Sequence, residues 1–182
     1  MATSTIQRVA TMIGTFAAAV VASENASRFI LDPILPPWLV SFTVWVGMAA
    51  AIVGAVVALR SRDISLGLLA AASAAALALP GVSALAAAPV AEVVRSCTPA
   101  ALATGAFLLL RASSRAGRVT HLALFVFSTA WLVGLVTPGP LGLFLSLQII
   151  ALWIAFCIVA RPAFIAGGRV LATAWQDQAA IR

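Results

Sequence analysis

The sequence predicts an all-α, polytopic integral membrane protein, a helical bundle with six transmembrane helices, and two observations support this fold class. Hydrophobic residues make up 63% of the chain and charged residues 9%, whereas soluble domains contain about 45–50% and about 25%. The apolar runs are separated by short segments that contain Pro, Gly or Arg, as expected when each run crosses a hydrocarbon core of about 30 Å. The length of 182 residues fits a single transmembrane domain, 1–182.

The net charge is +6, and the arginines that produce it lie mostly at the ends of the apolar runs. Such a charge would suggest nucleic acid in a soluble protein, but arginines at the ends of membrane spans are expected from the positive-inside rule. We therefore predict the lipid bilayer as the partner of these arginines, and no nucleic acid. The 11 basic residues are all Arg, and with the abundant Ala, Val and Gly they are typical of a bacterial chain from a GC-rich genome.

The first apolar run allows two interpretations. A short polar start, an apolar core after Arg8 and the small residues 20–22 before Ser23 resemble a cleavable secretory signal. Alternatively the helix continues through Glu24 and Arg28 to Leu31, which makes it long enough to span a membrane. We favour the retained helix, because a second span follows soon after the prolines at 33, 36 and 37.

The second span is predicted at 38–59, and Gly47, Ala51, Gly54 and Ala55 form a strip of small residues on one face of it, which favours close helix packing in lipid. The third span covers 64–79, with Pro80 as a kink after which the helix runs on for a turn or two. Ala88-Pro89 is predicted to start an outer connection that carries Glu92 and Arg95. The fourth span, 97–110, is short for a membrane and needs either the residues from 91 onward or a thinned bilayer.

The loop 111–118 contains three arginines and leads into a fifth span at 119–136. A sixth span at 141–160 is expected to end at Arg161-Pro162. After Gly167-Gly168, residues 169–182 place most of their apolar side chains on one helical face. They predict a short amphipathic C-terminal helix in the headgroup region.

Six spans place both termini on one side, and the arginines predict which side. On the side of the termini the basic residues are Arg8, Arg60, Arg62, Arg111, Arg115, Arg118, Arg161, Arg169 and Arg182; the opposite side has Arg28 and Arg95. Basic residues concentrate in cytoplasmic loops. The sequence therefore predicts a multi-pass protein of the cell inner (cytoplasmic) membrane with both termini cytoplasmic.

Motifs for catalysis or cofactor binding are not found in the sequence. His121 is the single histidine, and Cys97 and Cys157 have neither a CxxC nor a zinc spacing. Paired carboxylates within the spans and the Gly-x-Ser-x-Gly and His-Glu-x-x-His motifs are also missing. We expect a protein that is not an enzyme and has no catalytic residues, bound metal or cofactor.

Two groups of polar residues are the candidates for a polar path or a docking site. Gln148 is the only amide near the middle of a predicted span, and it serves either as interhelical glue or as part of a solute path. Glu24 with Arg28, and Glu92 with Arg95, are spaced so that each pair can close on one helix face. Together with Asp32 they form either capped helix ends in the headgroups or an outer vestibule.

The leading functional hypothesis from the sequence is a non-enzymatic membrane protein, an accessory subunit that packs against other subunits of a larger membrane complex. The alternative is a small transporter or channel for a small solute. Transporters usually have ionisable residues near the midplane, and the predicted spans have none there. A polar tunnel would favour transport, whereas a dry core with an exposed groove of small residues would favour the subunit.

Overall fold

The computed structural model describes the backbone of residues 2–30, 33–137 and 141–180, and the side chains of 5–28, 33–82, 84–114, 117–137, 142–170 and 172–173. The described backbone forms six α-helices: α1 (Ala2–Ile30), α2 (Pro37–Ser61), α3 (Ile64–Leu85), α4 (Ala88–Ala112), α5 (Arg115–Val136) and α6 (Leu141–Ala180). All six are long and apolar enough to cross a membrane. The prediction of an all-α protein with six candidate membrane spans is therefore confirmed.

The helices form a closed ring around a common core. Each helix packs against the next in chain order, α6 packs against α1, and α3 also contacts α1 and α5 across the ring. The ring closes where Phe16 of α1 meets Trp153 and Phe156 of α6, with ring centroids 5.9 and 5.3 Å apart. Leu69, Leu124 and other apolar side chains of α1, α3, α4, α5 and α6 fill the centre as one buried cluster.

The two ends of the bundle carry different connections. The end that we call the Arg8 end holds the start of α1 and the turns 62–63 and 113–114. The opposite end, the Glu24 end, holds the end of α1, the start of α2, the connection 86–87 and the end of α5. The turn from α2 to α3 is tight: Arg62 has a φ of 58° in the left-handed region, and the Asp63 carboxylate accepts the Leu66 N–H at 3.3 Å. This cap satisfies one of the free N–H groups at the start of α3.

One of the two boundaries at the Glu24 end differs from the sequence prediction. Pro80 lies inside α3, which continues to Leu85 as expected. The connection to α4 is only residues 86–87, so Glu92 and Arg95 lie in the first turns of α4 and not in a connecting loop. Pro89 is the second residue of this helix, and its missing N–H costs no hydrogen bond, since the first N–H groups of a helix have no intrahelical partner. With 25 residues, α4 is long enough to span a membrane, so the fourth span needs no thinned bilayer.

The predicted break at Arg161-Pro162 is also wrong. Pro162 lies inside α6, which runs without interruption for 40 residues through Gly167 and Gly168. A proline removes one backbone hydrogen bond, whereas ending a helix in an apolar surrounding exposes several unpaired groups. A separate short C-terminal helix is therefore not formed in the described backbone, and the side chains of the proposed amphipathic face lie mostly outside the described residues.

The strip of small residues on α2 packs closely against another helix, as predicted, and that helix is α1; Ala55, which was also predicted to belong to the strip, is only half-buried. Gly47, Ala51 and Gly54 are buried. A Cβ placed on Gly14 of α1 would come within 2.7 Å of the Ala51 Cβ, and one on Gly54 within 3.0 Å of the Thr11 Oγ1. These distances are shorter than real carbon contacts, so the two backbones approach as closely as glycine allows.

We predict that Gly47→Ala destabilises the protein, because the added methyl group would overlap the Ala17 Cβ and press on Leu77. Overpacking costs about 1–3 kcal/mol, more than the gain of up to about 1 kcal/mol in helix propensity. Thermal unfolding in detergent should show a lower Tm. The matched control is Gly167→Ala, where the added Cβ meets open space, and its Tm should be unchanged or higher. Equal Tm values for the two variants would contradict the close contact of α1 and α2.

Candidate functional site

The predicted site residues do not form one cluster. Glu24 and Arg28 lie near the end of α1, and Glu92 and Arg95 lie in the first turns of α4. Arg95 lines a cavity together with Gln148 of α6, whereas Glu24 and Arg28 do not line it. Asp32 lies outside the described residues. The structure therefore brings Arg95 and the Gln148 amide to one cavity, and Glu24, Arg28 and Glu92 do not line it.

Glu24 fastens the connection between α1 and α2. Its side chain is only 2% exposed, and Oε2 accepts the backbone N–H of Leu35 at 3.3 Å. Oε1 lies 3.6 Å from Nε of Arg28, whose side chain is 47% exposed. The connection contains Pro33 and Pro36, and α2 starts with Pro37; none of these prolines has an N–H to donate, so the Leu35 N–H is one of the few donors in this part of the chain. The contacts of Glu24 with Leu35 and Arg28 therefore give its carboxylate a structural role in holding this connection.

A cavity of about 200 Å³ opens at the Glu24 end, and we call it the Arg95 cavity. Its polar side chains come from three helices: Asn25 of α1, Arg95 of α4 and Gln148 of α6. Its walls are apolar, and they include Ala18, Ala22, Phe127, Trp131, Leu145 and Leu152. Gln148 is half-buried and lines this cavity between the helices, in agreement with the prediction that the amide faces the bundle.

Arg95 stands between this cavity and a second, more open one. The second space, about 260 Å³, is lined by Ala88, Ala91, Glu92 and Arg95. Glu92 and Arg95 do not come within ion-pair distance of each other, since the one ion pair of the described side chains joins Arg28 to Glu24. The predicted pairing on one helix face is therefore confirmed for Glu24 and Arg28, and it is wrong for Glu92 and Arg95.

A polar cavity at the Arg8 end was not predicted from the sequence. This His121 cavity has a volume of about 240 Å³, and its polar lining is Arg8, Asp63, Ser65, Thr120 and His121. His121 is 3% exposed, and its Nε2 lies 2.8 Å from the Ser65 Oγ. Its Nδ1 is buried and has no hydrogen-bond partner among the described residues. The sequence held one signal for this site, namely that the only histidine follows an arginine-rich loop.

The two cavities lie on the same four helices. Side chains of α1, α3, α5 and α6 line both of them. Between them the four helices close together in what we call the central plug, formed by the buried residues Thr15, Leu69, Ala72, Leu124 and Ala155. The Thr15 hydroxyl donates to the carbonyl of Thr11 at 2.8 Å within its own helix. The two cavities are therefore separated by closely packed, buried side chains.

Two buried polar atoms on α1 lie at its contact with α2. Gln7 is 2% exposed, and its Oε1 accepts the Ser61 hydroxyl at 3.0 Å. The Thr11 Oγ1 lies against Gly54 of α2. Gln7 Nε2 and Thr11 Oγ1 have no hydrogen-bond partner among the described residues, and a buried polar group without a partner costs about 1–3 kcal/mol.

The described residues contain no group of three His, Cys, Asp or Glu side chains placed to hold a metal ion. No protein-family model, curated protein or solved structure matches this chain.

We predict that Glu24→Ala loosens the connection between α1 and α2 while leaving the rest of the bundle folded. Hydrogen bonds to charged groups contribute about 1.5–3 kcal/mol, so the Leu35 amide should exchange its hydrogen at least about tenfold faster. Hydrogen–deuterium exchange of peptides covering 33–40 measures this directly. Glu92→Ala is the matched control, because Glu92 is exposed and has no ion pair within the described structure. An exchange rate that is the same in both variants would remove the proposed role of Glu24.

Proposed function

We propose that the chain carries a small solute across a membrane, along the interface of α1, α3, α5 and α6. The observation that carries the proposal is the pair of cavities that enter this interface from opposite ends. Ligand sites of helical membrane transporters lie between helices near the midplane, reached from each side in turn. Transport was the alternative hypothesis from the sequence, and the cavities move it ahead of the accessory subunit.

The thickness of the central plug supports this order. Along α5 and α6 the linings of the two cavities are six residues apart, from His121 to Phe127 and from Leu152 to Ile158. Along α1 and α3 they are ten residues apart, from Arg8 to Ala18 and from Leu66 to Ala76. These steps span about 9 and about 15 Å of helix, out of a hydrocarbon core of about 30 Å. The two cavities together therefore account for half or more of the distance across the core.

The plug also limits the kind of transport. The described residues that form it are apolar or carry hydroxyl groups, and none is ionisable. Transporters driven by protons or sodium usually place an ionisable side chain or unwound backbone near the midplane. We therefore favour passive passage of the solute, by a channel or a uniporter, over transport coupled to an ion.

The accessory-subunit hypothesis retains one supporting feature, the apolar outer face of α6. Ile150, Ile154, Phe164 and Ile165 are exposed along this face, where other membrane subunits would have room to pack. Lipid covers such a face equally well, and the strip of small residues on α2 is already used by α1. Purification in a mild detergent discriminates between the hypotheses, since a stoichiometric partner protein would favour the subunit.

For the setting of the protein we propose the inner membrane of a bacterium, with the Arg8 end and both termini in the cytoplasm. Arg8, Arg60, Arg62 and Arg111 all belong to the Arg8 end, whereas Arg28 and Arg95 belong to the Glu24 end. Basic residues concentrate on the cytoplasmic side. The 40 residues of α6 correspond to about 60 Å of helix, so its last turns extend beyond the bilayer core. We propose that residues 169–182 lie there as an amphipathic segment against the headgroups.

The transport proposal predicts that filling the Arg95 cavity slows solute passage. Ala22→Phe places an aromatic ring in the cavity, and its proteoliposomes should show an uptake rate at least about fivefold lower than those of the unmodified protein. Ala49→Phe adds the same ring on the exposed side of α2, and uptake should be unchanged. Stopped-flow light scattering with a panel of small neutral and charged solutes gives the rates. If the unmodified protein passes no solute faster than empty liposomes, or if both variants match it, the proposal fails.

The orientation predicts which connections react from outside the cell. In a background where Cys97 and Cys157 are replaced by Ala, Ile34→Cys should react with a membrane-impermeant maleimide in intact spheroplasts. Ser114→Cys should react only after lysis. Ile34 and Ser114 are both exposed in the structure, so the difference reports sidedness and not burial. The reverse pattern would invert the proposed topology.

A further inference from the structure

We propose that the Arg95 cavity binds a small organic anion, a monocarboxylate with a short apolar tail. The inference deepens the proposed function, because it names the solute class for one of the two cavities on the proposed path. It depends on three properties of the cavity: the sign of its charge, the hydrogen-bonding capacity of its polar lining and the character of its walls.

The charge of the cavity is positive. Arg95 is the one charged side chain in its described lining. Glu92 lies only in the neighbouring space, and Glu24 is held by the Leu35 N–H beside Arg28. The guanidinium is therefore not neutralised by a carboxylate within the described cavity, and it repels a cationic solute. An anion entering the cavity would supply the missing negative charge.

The polar lining favours an acceptor with two oxygens. A guanidinium presents its N–H donors in a planar fork that matches a carboxylate. Asn25 and Gln148 each contribute an amide with two further donors. These groups reach the cavity from three different helices; Asn25 and Arg95 are exposed at its mouth and Gln148 is half-buried. Such convergence of a few polar groups in an apolar pocket is the usual form of a small-molecule site.

The walls and the volume restrict the rest of the ligand. Phe127, Trp131, Leu145 and Leu152 form much of the remaining wall, and a strongly hydrated anion such as inorganic phosphate would lose water against these apolar side chains without replacement. A water molecule occupies about 30 Å³ in the liquid, so a cavity of about 200 Å³ has room for about seven groups of that size. A carboxylate with a tail of two to four carbons fits this volume.

An anionic lipid offers the same chemistry, an anionic head with an apolar chain, and the experiment separates it from a soluble acid. The full-length protein is purified into nanodiscs of neutral lipid, and butyrate binding is measured by isothermal titration calorimetry. Butyrate should bind, and butyramide, which has the same shape without the charge, should bind at least about tenfold more weakly. Equal affinities of the two compounds would overturn the inference. So would loss of butyrate binding in nanodiscs that contain phosphatidylglycerol, because the cavity would then be a lipid site.

Variants test whether Arg95 is the group that holds the anion. Arg95→Gln should weaken butyrate binding at least about tenfold, and Arg95→Lys should bind with intermediate affinity, since it keeps the charge without the fork. Arg28→Gln removes an arginine from the same end that does not line the cavity, and binding should be unchanged. Unfolding temperatures equal to that of the unmodified protein exclude misfolding as the cause. If Arg28→Gln weakens binding as much as Arg95→Gln, general attraction to this end of the bundle explains the result and the site does not.

Binding and passage are measured separately, so the two proposals fail in different ways. Butyrate that binds to the Arg95 cavity but does not cross proteoliposomes would leave this inference standing and overturn the transport proposal. A neutral solute that crosses in an Ala22-dependent manner, with no butyrate binding, would do the reverse.

Discussion

The close approach of α1 and α2 is the constraint on which the rest of the bundle depends. Gly14 faces Ala51, and Gly47 faces Ala17, with no room for an additional methyl group. In lipid the hydrophobic effect does not hold helices together, so packing of this kind is a main source of association. With α1 held against α2, its other faces contact α3 and α6. Those are the faces that line both cavities.

The buried polar side chains of α1 do not all serve the proposed path. Gln7 accepts the Ser61 hydroxyl of α2, and the Thr11 hydroxyl lies against Gly54 of the same helix. These two residues therefore belong to the contact between α1 and α2. Arg8 and Asn25 line the two cavities instead, and they are the polar residues of α1 that support the proposed path.

The number of spans and the small-residue contact could be predicted from the sequence, because both depend on local patterns of apolar and small residues. The end of α6 could not, since a proline such as Pro162 is read as a stop and an apolar surrounding favours keeping the helix. Neither cavity was predictable. Arg95, Asn25 and Gln148 lie on three helices, and their meeting depends on how each helix is rotated. The same holds for His121 and Ser65, which are 56 residues apart.

The placement of side-chain hydrogen bonds has a consequence for movement. The hydroxyls of Thr15, Ser73 and Ser128, at the level of the central plug, all donate to carbonyls four residues earlier in their own helices. The described side-chain hydrogen bonds that join different helices are Ser61 to Gln7, His121 to Ser65 and Trp153 to Ser23. None of them involves a residue of the central plug, so side-chain packing alone holds the helices together there. The side chains of the plug can therefore rearrange without the loss of a hydrogen bond between helices.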